Sequence, residues 1–223
     1  MKYKFLILGI LLNLVVFAQT SSSNKSDNTD NPKENLFRIK GSFGPTLMSN
    51  NSISSIYGIG FSGNLGFQVN LLHNKLFFCP EIQTNRFVKY SNASTSDNLT
   101  INSWKISLSY QLLEQKDIKF SAFFGIGSGN VNNTLKPRSG YQGSSIKIME
   151  GSNLGLNLGL QSDYKNFFIT GQYQSFRPNV SVTKYITDNI NDRTGVYDPF
   201  TVKDKTLDLS HFTILIGYSY KLL

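Results

Sequence analysis

The residues whose types could do chemistry are few and badly spaced for it. His211 stands beside Asp208 and Ser210, an acid, hydroxyl and imidazole of the kind that activate a nucleophile in a hydrolase or acyltransferase. Neighbours on a strand point to opposite faces, so Ser210 and His211 are not expected to converge on one reacting atom. The other histidine, His73, falls in a polar His73-Asn74-Lys75 break that reads as a solvated turn. The run Gly125-Ile126-Gly127-Ser128-Gly129 has the composition of a phosphate loop. No helix follows to offer its N-terminus to a phosphate, so a rim or loop entry fits better. Cys79 is the single cysteine; it can form no internal disulfide, has no metal-site spacing, and is expected to pack as a small apolar group. No catalytic, cofactor or metal set emerges, and a non-enzymatic chain without cofactor is expected.

One constellation stands apart. Glu81, Lys40 and Lys105 share the polar face of their segments at similar depth, with Arg38 and Lys221 further toward one end. A buried charge needs a partner, so an interior Glu81–Lys105 or Glu81–Lys40 pair is expected. The alternative is that these groups sit hydrated at a mouth.

The elements that would position these residues are strands. The segment 56–71 places Tyr57, Ile59, Phe61, Leu65, Phe67, Val69 and Leu71 on one face and Gly, Ser, Asn and Gln on the other; a helix produces no such period of two. Seven more segments alternate in the same way: about 37–48, 76–90, 101–112, 118–130, 147–163, 167–176 and 209–222. Connections after the second, fourth and sixth are short. Those after the first, third, fifth and seventh are long and rich in Asn, Ser and Gly, the longest being about Pro178 to Asp208. Such one-sided loop lengths are the mark of a barrel that crosses an outer membrane, short turns inside and long loops outside.

Composition agrees. With 223 residues, 39% hydrophobic, 17 Phe and 11 Tyr, the chain is too polar for a bundle of membrane helices and rich in strand formers. Strands of 10 to 16 residues exceed the ~5–6 usual in soluble domains and reach the ~9–11 needed to cross a bilayer at a tilt. Backbone groups in hydrocarbon must find protein partners, so strands can span only as a closed barrel. The expected fold is therefore all-β: an eight-stranded antiparallel up-and-down transmembrane β-barrel with a filled interior, since about eight strands leave room only for their own side chains. Aromatic girdles are expected from Tyr57 and Phe176 at the loop side, and from Phe67, Tyr110, Tyr164, Phe167, Tyr218 and Tyr220 at the turn side. Pro80 resists the scheme: it cannot donate to a ladder, which calls for a bulge or a later strand start.

Residues 1–18 read as a secretory signal: Lys2 and Lys4 precede an apolar run from Phe5 to Phe17, and cleavage is expected after Ala18. No cysteine follows the cut to carry a lipid anchor. Residues 19–35 form a polar leader, expected to be flexible, and 36–223 the barrel domain. The net charge of +8 is scattered, which does not suggest nucleic acid as a partner.

The signal, the alternating strands and the final Thr213-Ile214-Leu215-Ile216-Gly217-Tyr218-Ser219-Tyr220-Lys221-Leu222-Leu223 strand together resemble the outer-membrane β-barrel domain family that includes PorT-like proteins, small barrels of Gram-negative envelopes. Ending on Leu223 departs from the aromatic terminus common in such barrels. The resemblance implies outer-membrane location, contact with outer-membrane lipid, and insertion by the barrel-assembly machinery. Three functions are carried forward: a non-enzymatic barrel whose exterior loops mediate surface contact or whose body supports the envelope; a PorT-like subunit of an envelope secretion or transport assembly with protein partners; and a secreted lipocalin-like carrier with its apolar faces turned inward.

Overall fold

A computed structural model describes residues 37–72, 75–90, 95–137, 146–183 and 202–222. The expected signal, the polar leader, His73 and the terminal Leu223 lie outside the described residues.

Each alternating segment forms a strand, and the strands join in chain order. β1 (Phe37–Met48), β2 (Ile59–Leu72), β3 (Leu76–Tyr90), β4 (Thr95–Gln115), β5 (Ile118–Pro137), β6 (Ile146–Tyr164) and β7 (Phe167–Phe176) pair antiparallel in sequence. The last strand, β10 (His211–Lys221), pairs with both β7 and β1 and closes the cylinder. The wall is a closed eight-stranded antiparallel β-barrel, so every wall strand has a paired neighbour on both sides.

Two elements were not expected. Asn51–Tyr57, which takes in the first two residues of the second alternating segment, is a short helix, α1. Its carbonyl at Ser54 accepts the amide of Gly58, whose φ of +59° closes the helix in the left-handed conformation that glycine adopts without steric cost. The longest connection also holds a hairpin, β8 (Asn179–Thr183) and β9 (Val202–Thr206). β8 pairs with β6 at Met149–Ser152, beyond the point where β7 ends.

The wall is lopsided. β4, β5 and β6 run 21, 20 and 19 residues, whereas β1, β7 and β10 run 12, 10 and 11. Most of the surplus lies on the loop side, where β3–β6 with β8 and β9 stand above the rest; β4 also runs past the start of β3 on the turn side, where Leu76 pairs with Tyr110. On the turn side the links are tight. Lys116-Asp117 and Lys165-Asn166 join their strands with φ of +54° and +56° at the lysines, a strained conformation for any residue with a Cβ.

Pro80 needs neither a bulge nor a later start. It sits within β3 opposite Ile106 of β4. On the β2 side the pairing is interrupted opposite Cys79 and Pro80, then resumes at Val69↔Phe78 in the same register as Leu65↔Ile82. The missing donor is absorbed by a local gap in one ladder.

The side chains sort by face. Outward lie Phe43, Phe61, Leu65, Ile82, Trp104, Leu108, Phe124, Leu156, Leu158, Ile214 and Ile216, all exposed, with Phe61 at 64% and Leu154 at 69%. Inward lie Lys40, Ser62, Gln83, Asn85, Lys105, Ser107, Asn157, Gln161, Gln172, Gln174 and Thr213, all buried. On β4 the outward apolar run goes from Trp104 to Leu112. At ~3.4 Å per residue and ~40° of tilt that is roughly 20 Å of height, close to the ~25 Å apolar band of membrane barrels. Phe67, Tyr110, Tyr164, Phe167, Tyr218 and Tyr220 are exposed near its turn-side border. Tyr57 and Phe176, expected in the opposite girdle, are instead buried inside, at 8% and 0% exposure.

Candidate functional site: the polar interior and its apolar cap

The inward face carries two layers of opposite character. The lower layer, level with the outward apolar belt, is polar. Glu81 and Lys105 are directly opposed across the β3–β4 ladder, with Oε2 3.4 Å from Nζ. The ammonium also donates to Gln83, and to Gln172 at 3.1 Å across the barrel. Asn64 donates to the Glu81 carboxylate at 3.0 Å. Lys40 goes elsewhere: it donates to Gln161 and lies 4.6 Å from the centre of the Phe168 ring. Of the two expected pairings, the geometry joins Glu81 to Lys105, and Lys40 makes its bonds with Gln161.

The network continues upward. Gln83 accepts from Gln172 at 2.7 Å and donates to Ser62 at 3.0 Å and Asn85 at 2.8 Å. Asn85 meets Nε2 of His211 at 3.1 Å, and Nδ1 of that ring lies 2.9 Å from the Leu209 carbonyl. A carbonyl only accepts, so Nδ1 carries the proton and Nε2 accepts from Asn85. Ser210 faces another way: its hydroxyl donates to Asp208 at 2.6 Å and accepts the Phe176 amide at 3.0 Å. Imidazole and hydroxyl therefore hold separate partners.

The glycine run of β5 is not a rim. Gly125, Gly127 and Gly129 lie mid-strand on the inward face, opposite Ser107, Lys105 and Ser103. A Cβ on Gly127 would come 2.9 Å from Lys105 Cγ and 2.4 Å from the Trp104 carbonyl. Bare backbone here lets the long Lys105 side chain lie across the wall. A cavity of about 20 Å³ remains between Lys40, Glu81, Gln161 and Gln172, room for about one water molecule.

Above this layer the interior turns apolar. Phe87, Leu99, Ile101, Val131, Met149, Phe176, Val180, Val182 and Leu209 form one buried cluster with Met48 and with Ile53 and Tyr57 of α1. The i, i+4 spacing of Ile53 and Tyr57 puts both on the helix face that covers the cluster. Tyr57 is the latch. Its hydroxyl donates toward both Asp97 carboxylate oxygens at 3.2 Å and accepts from Asn133. Burial, reinforced by the Asp97 charge, pushes the phenol well above its usual range near 10, which keeps it a neutral donor.

A second clasp holds the hairpin. Asp208 takes the Ser210 hydroxyl and amide on one oxygen, and the Arg177 guanidinium lies 3.3 Å from the other. Partial burial opposes ionisation of this carboxyl, but the Ser210 and Arg177 contacts outweigh it and hold the carboxyl below its usual range.

Reading polarity along one strand missed the apolar cap, yet the signal was present. On β4 the apolar positions are even from Trp104 to Leu112 and odd at Leu99 and Ile101. β5 switches between Ile126 and Val131, and β6 between Leu154 and Met149. Strand direction is unbroken, so a change of parity is a change of face. The apolar side faces out along the belt and in above it.

No protein-family model matches the chain, and no curated protein does. Solved structures do. They include Neisserial surface protein A (14% identity, 83% of this chain and 97% of that one, TM-score 0.45) and a major outer membrane protein from Thermus thermophilus (12%, 82% and 98%, TM-score 0.45). Another is the attachment invasion locus protein Ail of Yersinia pestis (13%, 82% and 96%, TM-score 0.42). These are likenesses of fold at low identity.

Proposed function

We propose that the chain is an integral outer-membrane β-barrel, closed to solutes, that presents a capped β-structure on the cell exterior and acts through that structure and its loops. The observation that carries this reading is the switch of apolar parity at the top of the belt. A carrier in water would turn its apolar positions inward along the whole strand, because each large side chain left in water forgoes about 1.5–3 kcal/mol. Here only the part above the belt does so. The belt encircles the wall, far beyond the few hundred Å² of apolar patch usual on a soluble monomer. The medium outside therefore changes from hydrocarbon to water at that level.

The polar network and the apolar cap support the reading of a barrel closed to solutes. On this reading its work is non-enzymatic: binding and contact at the exterior, or support of the envelope. Membership of an envelope secretion or transport assembly, PorT-like or other, is a narrower reading, and a stable partner retained through purification in mild detergent would support it.

Refolding tests the main reading. The denatured chain should fold into detergent micelles and phospholipid vesicles, and should migrate differently on a denaturing gel before and after boiling. Recovery as a folded monomer from buffer without detergent would overturn it.

A further inference from the structure

The outward face at the upper border of the belt has a composition of its own. Arg86 points outward from β3 and is exposed. Its cross-strand neighbours are Phe61 of β2, which is 64% exposed within the belt, and Thr100 of β4. Neither is acidic. The guanidinium is steadied by the Asn98 side-chain oxygen at 3.2 Å, which uses one of its five donors.

The next outward positions toward the turn side are Thr84 and Asn102, opposed across the ladder and both exposed. Thr84 donates to the Asn102 oxygen at 2.9 Å, which leaves the Asn102 amide N–H groups for an outside acceptor. The row continues through Asn130 and Ser152, again exposed and directly paired. An arginine fork beside amides and hydroxyls, set at the edge of an apolar belt, fits a phosphorylated sugar. The guanidinium matches phosphate bidentately, and the small polar groups supply donors and acceptors for hydroxyls.

We infer that the Arg86–Thr84–Asn102 face, extended by Asn130 and Ser152, is a contact surface for the phosphorylated saccharide headgroup of a glycolipid in the outer leaflet. The inference rests on the membrane reading above. Continuity with the belt selects the occupant: the acyl chains of the same lipid cover Phe61 and Ile82, and its phosphate then lies at Arg86. A plain phospholipid would engage Arg86 but leave the amide row unused.

The test uses the full barrel in nanodiscs of phosphatidylcholine, alone or with phosphatidylglycerol, rough lipopolysaccharide, or the same lipopolysaccharide dephosphorylated. Lipopolysaccharide should raise the thermal midpoint of the fold and shift the Thr84 and Asn102 amide resonances, more than phosphatidylglycerol does. Arg86→Gln should weaken that response about tenfold, the loss expected when one charge-assisted contact goes. Asn102→Leu should weaken it too, Arg86→Lys should keep part of it, and each variant should retain its heat-modifiable migration. An equal response to phosphatidylglycerol or to the dephosphorylated lipid would overturn the inference while leaving the barrel in the membrane. So would unchanged behaviour of Arg86→Gln, or an equal response to the lipid-free saccharide in detergent. Failure of the wild-type chain to enter nanodiscs would instead overturn the membrane reading on which it depends.

Discussion

Glu81 and Lys105 face each other across neighbouring strands inside the barrel, 3.4 Å apart, with the lysine at 1% exposure. Such a pair stabilises little against a well-packed apolar replacement, yet is costly to break from one side, because the remaining charge loses its compensation. Lys105→Met should therefore lower the unfolding free energy by about 3–5 kcal/mol in a urea titration in vesicles. Adding Glu81→Gln should recover most of that loss. A double variant as unstable as the single one would show that the carboxylate was compensated by something other than Lys105.

Tyr57 ties α1 to the wall through Asp97 and Asn133. Tyr57→Phe keeps the ring in the apolar cluster but leaves the half-buried Asp97 short of a donor, at a cost of about 1–3 kcal/mol. The loss should fall on the cap. Hydrogen exchange should speed up in Asn51–Tyr57 and at the ends of β4 and β5, with little change at Phe120 or Leu158.

The Asp208 clasp sets a pH dependence. Its carboxyl is held below its usual range, so the folded form binds a proton less readily than the unfolded form. The stabilisation is complete above the unfolded value of about 3.9 and is lost as pH falls through the lower folded value. Acidification below about pH 4 should release the β8–β9 hairpin, seen as faster exchange at Val180 and Val182. Asp208→Asn should already show that faster exchange at neutral pH.

Glycines on the two faces should answer differently to a methyl group. A Cβ on Gly44 would come 2.0 Å from the Ile214 carbonyl, whereas Gly171 has nothing within 4 Å. Gly44→Ala should cost about 1–3 kcal/mol through forced movement of β10, and Gly171→Ala should stay within about 0.5 kcal/mol of wild type. Equal costs would mean that β1 and β10 are not packed as described.

Much of this was legible in the sequence, for an identifiable reason. Where lipid-facing apolar residues alternate with interior polar ones, as at Phe61–Val69 or Leu154–Leu160, the period of two is strong enough to place strand ends within about three residues. The interior ladder also puts Glu81 opposite Lys105 once the register is known, although sequence alone left Lys40 as an equal partner. The apolar cap was less legible. Leu99, Ile101, Val131 and Met149 continue the same strands with the opposite parity, so a search for one uninterrupted pattern ends the strand too early. In α1, Ile53, Ile56 and Tyr57 span too few residues to separate a helix from the start of an alternating run. Val180 and Val182 mark the inward side of β8, but two residues among Asn, Ser and Thr carry too weak a period to be seen.

A charge scan across the belt border tests the central claim most directly. Leu158 is 50% exposed on the outward face of β6, and Asn130 is exposed above the belt on β5. In phospholipid vesicles Leu158→Arg should cost about 2–4 kcal/mol of unfolding free energy, as a cation facing hydrocarbon does, while Asn130→Arg should fall within about 0.5 kcal/mol of wild type. Costs that are equal and small at both positions would contradict a lipid-facing belt.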